Sequence, residues 1–270
     1  MRDASADTNQ DVSGGGAAHR ASTPVFGLRF SDLDEPGAAR HMLAVRRTAA
    51  EGPGLFVTPN IQHIALARRD DAFRAAMAGA EIIVADGFPV YRFARARGVD
   101  LPGRVAGRAV IEEMFADPVR LSGHRGYFVV DSEATASGIR AWAARRAPDF
   151  VVETHVPPFG FEADAGYGRS LADAISAFDT TLLFLCIGAP KSEVFAHRYR
   201  AYLPPCWILC VGQSFRLLLG TTRPPPAVMV RLNLEWLWRI ALEPRRMLAR
   251  YGPSGVGFLR AALSDLRAHR

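Results

Sequence analysis

Residues 181–193 read Thr-Leu-Leu-Phe-Leu-Cys-Ile-Gly-Ala-Pro-Lys-Ser-Glu. An uncharged run passes straight into glycine and proline, then into lysine and glutamate. A run that does not alternate in polarity is what a strand buried on both faces of a parallel sheet requires. The turn-forming residues behind it belong to the loop that feeds the next helix. The same texture recurs at residues 55–58, 81–85, 126–130, 150–154 and 207–211. Between the runs, apolar residues take helical spacing: Ile61, Ile64, Ala65 and Ala72; Ile111, Met114 and Phe115; Leu171, Ala174, Ile175 and Phe178. Repeated strand-then-helix order over residues 24–222 predicts an α/β, Rossmann-like fold, a mostly parallel sheet flanked by helices.

Around this centre the composition sets limits. The chain has 270 residues, 49% hydrophobic and 22% charged, enough for a packed core. Residues 1–23 are polar and rich in Gly, Ala and Ser, and are expected to form a disordered tail. Thirty-three Lys and Arg against 27 Asp and Glu give a formal charge of +6, and Lys191 is the only lysine. The three cysteines, Cys186, Cys206 and Cys210, are too few for a disulfide framework and have no zinc-ligand spacing. No apolar stretch is long enough to span a bilayer and no secretory pattern opens the chain, so the expected compartment is the cytoplasm. The histidines form no HExxH pair, and neither a Walker loop nor a GxGxxG follows a strand. No metal and no cofactor are expected. Nothing resembling a helix-turn-helix or zinc finger accompanies the basic charge, so nucleic acid is not an expected partner.

In open parallel sheets, ligands collect beyond the carboxyl ends of the strands. Those ends carry Thr58-Pro59-Asn60, Asp86-Gly87-Phe88-Pro89, His155-Val156-Pro157-Pro158-Phe159-Gly160, Gly188-Ala189-Pro190-Lys191-Ser192-Glu193 and Gly212-Gln213-Ser214-Phe215. Together they predict one rim of a crevice. Asp86 is the leading catalytic candidate: a carboxylate that closes an apolar run and precedes glycine can take a proton from an attacking hydroxyl. The competing role is an N-cap of the next helix. Arg104, among glycines ahead of a helix near residue 109, suits phosphate, against the alternative of a solvated surface arginine. Glu193 is equally readable as first-turn complementation of a helix dipole. Asp32-Leu33-Asp34 is a DxD that follows no predicted strand, and chance explains it.

Beyond Gly220 the texture changes. Residues 221–226 form a proline-rich, stiff connector. After it Arg231, Glu235 and Arg239 share one helical face, with Leu234, Leu237, Trp238 and Ala241 on a neighbouring one. A break is expected near Glu243, before Pro244, and another at residues 252–257, ahead of a short basic amphipathic end at 258–270. Residues 223–270 thus form a basic amphipathic segment suited to an anionic membrane surface. The alternative is that Trp236 and Trp238 pack on the preceding domain.

The ordered motifs resemble those of the WecG/TagA/CpsF glycosyltransferases. The pieces are Thr58-Pro59-Asn60, Asp86-Gly87, Arg104-Val105-x-Gly107, Gly188-Ala189-Pro190-Lys191-x-Glu193, Val211-Gly212-x-x-Phe215, Arg223-x-Pro225, Leu234-Glu235-Trp236-Leu237-Trp238-Arg239 and Glu243-Pro244-Arg245-Arg246. The resemblance implies an inverting, metal-independent transferase that moves a hexose-type sugar from a UDP-sugar to a polyprenyl-diphosphate-linked saccharide in cell-surface polysaccharide biosynthesis. It would work as a peripheral protein on the inner face of the cytoplasmic membrane, and a homo-oligomer stays open. Carried over by position, Asp86 resembles the catalytic base, with Thr58 and Asn60 beside it. The substrate-binding set is Arg104, Gly87, Gly188, Pro190, Ser192, Glu193, Gly212, Arg239, Arg246 and Arg250.

Three positions depart from the family pattern. Ser192 stands where glutamine is usual, and Arg108 and Arg216 stand where acidic residues are usual. They imply a different or more anionic substrate, or, in the main alternative, a nucleotide-sugar-binding or membrane-docking module without catalysis. A nicotinamide-dependent oxidoreductase would need tight NAD(P) binding without the glycine fingerprint.

Overall fold

The structure is a computed structural model that describes residues 23–212, 214–220, 226, 228–229, 235–242 and 244–268. The expected disordered tail and the proline-rich connector lie almost wholly outside the described residues, as does the expected domain boundary at residues 222–223. The side chains of Arg216, Trp236, Arg239, Arg246 and Arg250 are outside them as well.

Among the described residues, six strands form one sheet: β1 (Gly54–Val57), β2 (Ile82–Ile83), β3 (Arg125–Val129), β4 (Val151–His155), β5 (Leu182–Leu185) and β6 (Trp207–Cys210). Their order is β2-β1-β6-β5-β3-β4 and every pairing is parallel. The α/β, Rossmann-like expectation therefore holds. The connecting helices are α1 (Glu35–Ala44), α2 (Ile61–Ala67), α3 (Asp71–Ala78), α4 (Phe88–Ala96), α5 (Gly107–Ala116), α6 (Glu133–Arg146), α7 (Ala165–Ala177), α8 (Lys191–Arg198) and α9 (Ser214–Leu218). Two more follow, α10 (Glu235–Leu242) and α11 (Pro244–Ala268). Short polar residues start many of them: Asp34, Asn60, Asp70, Ser132 and Asp164 each accept a first-turn backbone N–H. Asp34 of the DxD is one of these caps.

The alternation of side chains along each strand divides the core in two. Phe56, Phe128, Phe184 and Trp207 enter one layer with Phe115 and Phe215, and Phe128 stacks on Phe184 with centroids 4.6 Å apart. Leu55, Val57, Tyr127, Val129, Leu183, Leu185 and Ile208 enter the other. The run at 150–154 departs from the expected two-sided burial. β4 is an edge strand, and Val151 is exposed.

A second departure concerns the end of the chain. The expected break at residues 252–257 is absent: α11 runs unbroken through Pro253. Ser254, Gly257, Ala261, Ala262 and Asp265 are buried at helical spacing, and α11 packs along α2. Phe258 meets the rings of Phe26 and Phe93. Asp265 accepts the Phe26 N–H at 2.8 Å and pairs with Arg97 Nε at 3.0 Å. This tertiary contact offsets the roughly 3 kcal/mol that an interior proline costs a helix.

Candidate active site

The carboxyl ends of β2, β1, β6 and β5 are contiguous in the sheet, so four of the five predicted rim segments are neighbours. The fifth leaves the far edge at β4 and folds back across β3. Phe159 lies under Lys191 Nζ, 5.3 Å from the ring centroid, and Glu162 pairs with the same lysine at 2.7 Å. All five segments thus border one end of the sheet.

Parallel pairing continues past the strands and builds the rim. The Val84 N–H donates to the Val57 carbonyl and the Asp86 N–H to the Pro59 carbonyl, both at 3.1 Å. Thr58-Pro59-Asn60 therefore runs beside Asp86. On the other side of β2, the Ser31 N–H donates to the Ile83 carbonyl at 2.8 Å, and the Val105 N–H to the Ala85 carbonyl at 2.9 Å. The second bond carries Arg104 to Asp86, with Nη1 3.8 Å from Oδ1.

Both alternatives left open for this pair now resolve. The N-cap of α4 is Gly87, with no side-chain cap, so Asp86 does not cap that helix. The Arg104 side chain is only 18% exposed and that of Asp86 28% exposed, so neither is a loose surface group. Gly87 has φ 95°, which a side chain would strain, and a Cβ there would stand 3.3 Å from Asn60 Cβ. The turn is thereby held close to Asn60.

The remaining expected residues separate into two kinds. Thr58 is buried, and a Cβ on Gly107 would lie 3.0 Å from its Oγ1, so the start of α5 rests on it. Asn60 caps α2, its Oδ1 accepting from the Gln62 N–H at 3.0 Å and the His63 N–H at 3.4 Å. Gly188 and Gly212 take positive φ at the ends of β5 and β6, and Pro190 is the N-cap of α8. Ser192 and Glu193 turn inward. Ser192 is 1% exposed, and its Oγ donates to the Leu185 and Gly188 carbonyls, each at 3.3 Å. Glu193 is 2% exposed and faces His63, which sequence reasoning did not single out. Arg108 Nη1 donates to both carboxylate oxygens of Glu112, at 2.7 and 2.8 Å, so its charge is matched within α5.

Burial pushes the thiols of Cys186, Cys206 and Cys210 up, Cys206 to about 12. Burial thus favours the neutral thiol at all three positions. Among the described residues, no helix is long and apolar enough to cross a membrane.

The sequence profile of the glycosyl transferase WecG/TagA/CpsF family matches residues 23–270. A protein of Bacillus spizizenii named N-acetylglucosaminyldiphosphoundecaprenol N-acetyl-beta-D-mannosaminyltransferase is 25% identical over 229 residues, 84% of this chain and 86% of that protein. One of the same name from Bacillus subtilis is 26% identical over 197 residues, 72% of this chain and 73% of its own length. With its rim segments gathered at the carboxyl ends of a parallel sheet and a profile match over nearly its whole length, the chain belongs to the glycosyl transferase WecG/TagA/CpsF family.

Proposed function

We propose that this glycosyltransferase moves a hexose-type sugar from a UDP-sugar to a polyprenyl-diphosphate-linked saccharide, with inversion at the anomeric carbon. The names of the two Bacillus relatives support that acceptor class. Asp86 takes the proton of the acceptor hydroxyl as its oxygen attacks the anomeric carbon from the face opposite the diphosphate. The bond from that carbon to the diphosphate oxygen breaks, and UDP departs with the electron pair. Arg104 meets the charge that develops on the leaving diphosphate, together with Arg239, Arg246 and Arg250. Thr58 and Asn60 flank the base, and Gly87, Gly188, Pro190 and Gly212 let the backbone come close to the donor. Ser192 and Glu193 act from inside the β5–α8 turn by holding its shape.

The observation that carries this reading is the partly exposed Asp86, released from helix capping and 3.8 Å from Arg104 at the rim.

The membrane side of the proposal rests on α11. Val256, Leu259, Leu263 and Leu266 are 51%, 63%, 54% and 42% exposed and recur at steps of three and four, with Arg260 and Arg267 exposed beside them. Such a stripe suits insertion into an anionic interface, which would hold the chain on the inner face of the cytoplasmic membrane beside its lipid-linked acceptor.

Purified chain, vesicles bearing a lipid-diphosphate sugar and a panel of UDP-sugars test the reading. Lipid-linked product with at least one donor is the expected result. Release of UDP with no extended lipid, for every donor, contradicts it.

A further inference from the structure

Beneath the rim lies a second polar group that the chemistry above leaves unassigned. His63 is the third residue of α2, and its Nδ1 accepts the Asn60 N–H at 3.3 Å. With Nδ1 an acceptor, the neutral ring carries its proton on Nε2. Nε2 faces Glu193 Oε1 at 3.7 Å, with the two side chains 13% and 3% exposed. Glu193 Oε2 is buried and has no hydrogen-bond partner among the described residues. A buried carboxylate of this kind depends on the polar group that it faces. Glu193 also lies close enough to Cys210, the last residue of β6, for its charge to add to the effect of burial on that thiol.

Position in the sheet gives the contact its meaning. α2 leaves the end of β1 and α8 leaves the end of β5, and β6 separates those strands. The His63–Glu193 contact therefore bridges the helices that leave β1 and β5, across the end of β6. From His63 the connection runs to the Asn60 backbone, through the adjoining Pro59 carbonyl to the Asp86 N–H at 3.1 Å. We propose that His63, oriented by Glu193, is a positioning residue that sets Asp86 against the β5–α8 turn, and with it the distance between the base and the bound donor. This rests on the transferase reading above. An ordinary capping box would stabilise α2 alone; here the capping side chain also reaches the opposite wall.

Two substitutions in the full chain separate positioning from capping. In His63→Gln the amide supplies both an acceptor for the Asn60 N–H and a donor for Glu193, whereas His63→Leu supplies neither. Expected for His63→Leu is a fall in kcat of about ten- to a hundredfold, the loss that a small misplacement of a reacting group produces, at nearly constant donor KM. His63→Gln should keep kcat within about threefold of the wild type. Wild-type kcat in His63→Leu overturns the proposal, as does equal loss in both variants in step with their melting temperatures. A readout without donor accompanies the kinetics: in 15N-histidine-labelled protein, the long-range 1H–15N spectrum should give His63 as the Nε2–H tautomer. The Nδ1–H tautomer overturns the proposal whatever the activity. A wild-type chain that transfers no sugar while showing the Nε2–H tautomer overturns the transferase reading instead.

Discussion

His124 shows how one buried side chain makes the fold sensitive to acid. It is 3% exposed, with Nε2 3.1 Å from the Leu43 carbonyl and Nδ1 3.2 Å from Thr181 Oγ1. A carbonyl only accepts, so Nε2 carries the proton and Nδ1 is left as an acceptor. Burial and then the charge of Arg46 push its pKa below the ordinary histidine value, against a smaller opposing effect of the Leu43 bond. The unfolded chain therefore binds the proton more readily. The stability held by neutral His124 is complete above the unfolded pKa of about 6.5 and is lost as pH falls from there through the folded value. The melting temperature should drop between pH 7.5 and 5.5, and less in His124→Gln. The expected gap is a few degrees, since 1 kcal/mol moves a chain of this size by about 2–4 °C. Equal drops would place the acid sensitivity elsewhere. Site residues were legible in sequence to different depths. Asp86 and Arg104 stood out because one ends an apolar run and the other sits among glycines before a helix. His63 did not, since a histidine in the first turn of a helix has no local signature of reaching across a sheet. Glu193 was equally readable as substrate-binding or as dipole complementation, and neither reading pointed to His63. Their pairing depends on β1 and β5 flanking β6, which no local pattern records.

Among the elements, α11 is where composition misled. Three glycines and a proline within residues 252–257 read as a break. In the fold Gly257 is a contact instead: a Cβ there would stand 2.5 Å from Ala65 Cβ, so its bare backbone lets α11 approach α2. Gly255, two residues earlier, would meet nothing within 4 Å. The pair makes a controlled comparison. Gly257→Ala should lower stability by about 1–3 kcal/mol, as overpacking does, and expose α11 to trypsin. Gly255→Ala should be neutral or stabilising by up to about 1 kcal/mol, as expected for a helix interior. Urea midpoints and limited proteolysis read both, and equal effects would argue against a packed α2–α11 contact. The strands were read more faithfully, because an uninterrupted apolar run has few other solutions in a soluble core. β4 is the exception: its run gave no sign that it would lie at an edge.

For the molecule as a whole, one side of α11 docks on the domain and the other presents Val256, Leu259, Leu263 and Leu266. The double substitution Leu259→Glu with Leu263→Glu should leave the melting temperature nearly unchanged, because both side chains are exposed, and abolish flotation with anionic vesicles. Flotation equal to wild type would assign the stripe another partner. The α/β class and the rim were legible from the order of runs and the residues behind them. Strand order was not, because it is fixed by crossovers that sequence spacing does not encode. That order brings the ends of β2, β1, β6 and β5 together, and the Val105–Ala85 backbone bond sets Arg104 beside Asp86. The most direct test is transfer by Asp86→Asn, with lipid-linked acceptor and the donor that the wild type uses. The account predicts loss of transfer by about a hundredfold or more, with UDP affinity and melting temperature close to wild type. Transfer at near the wild-type rate would contradict it.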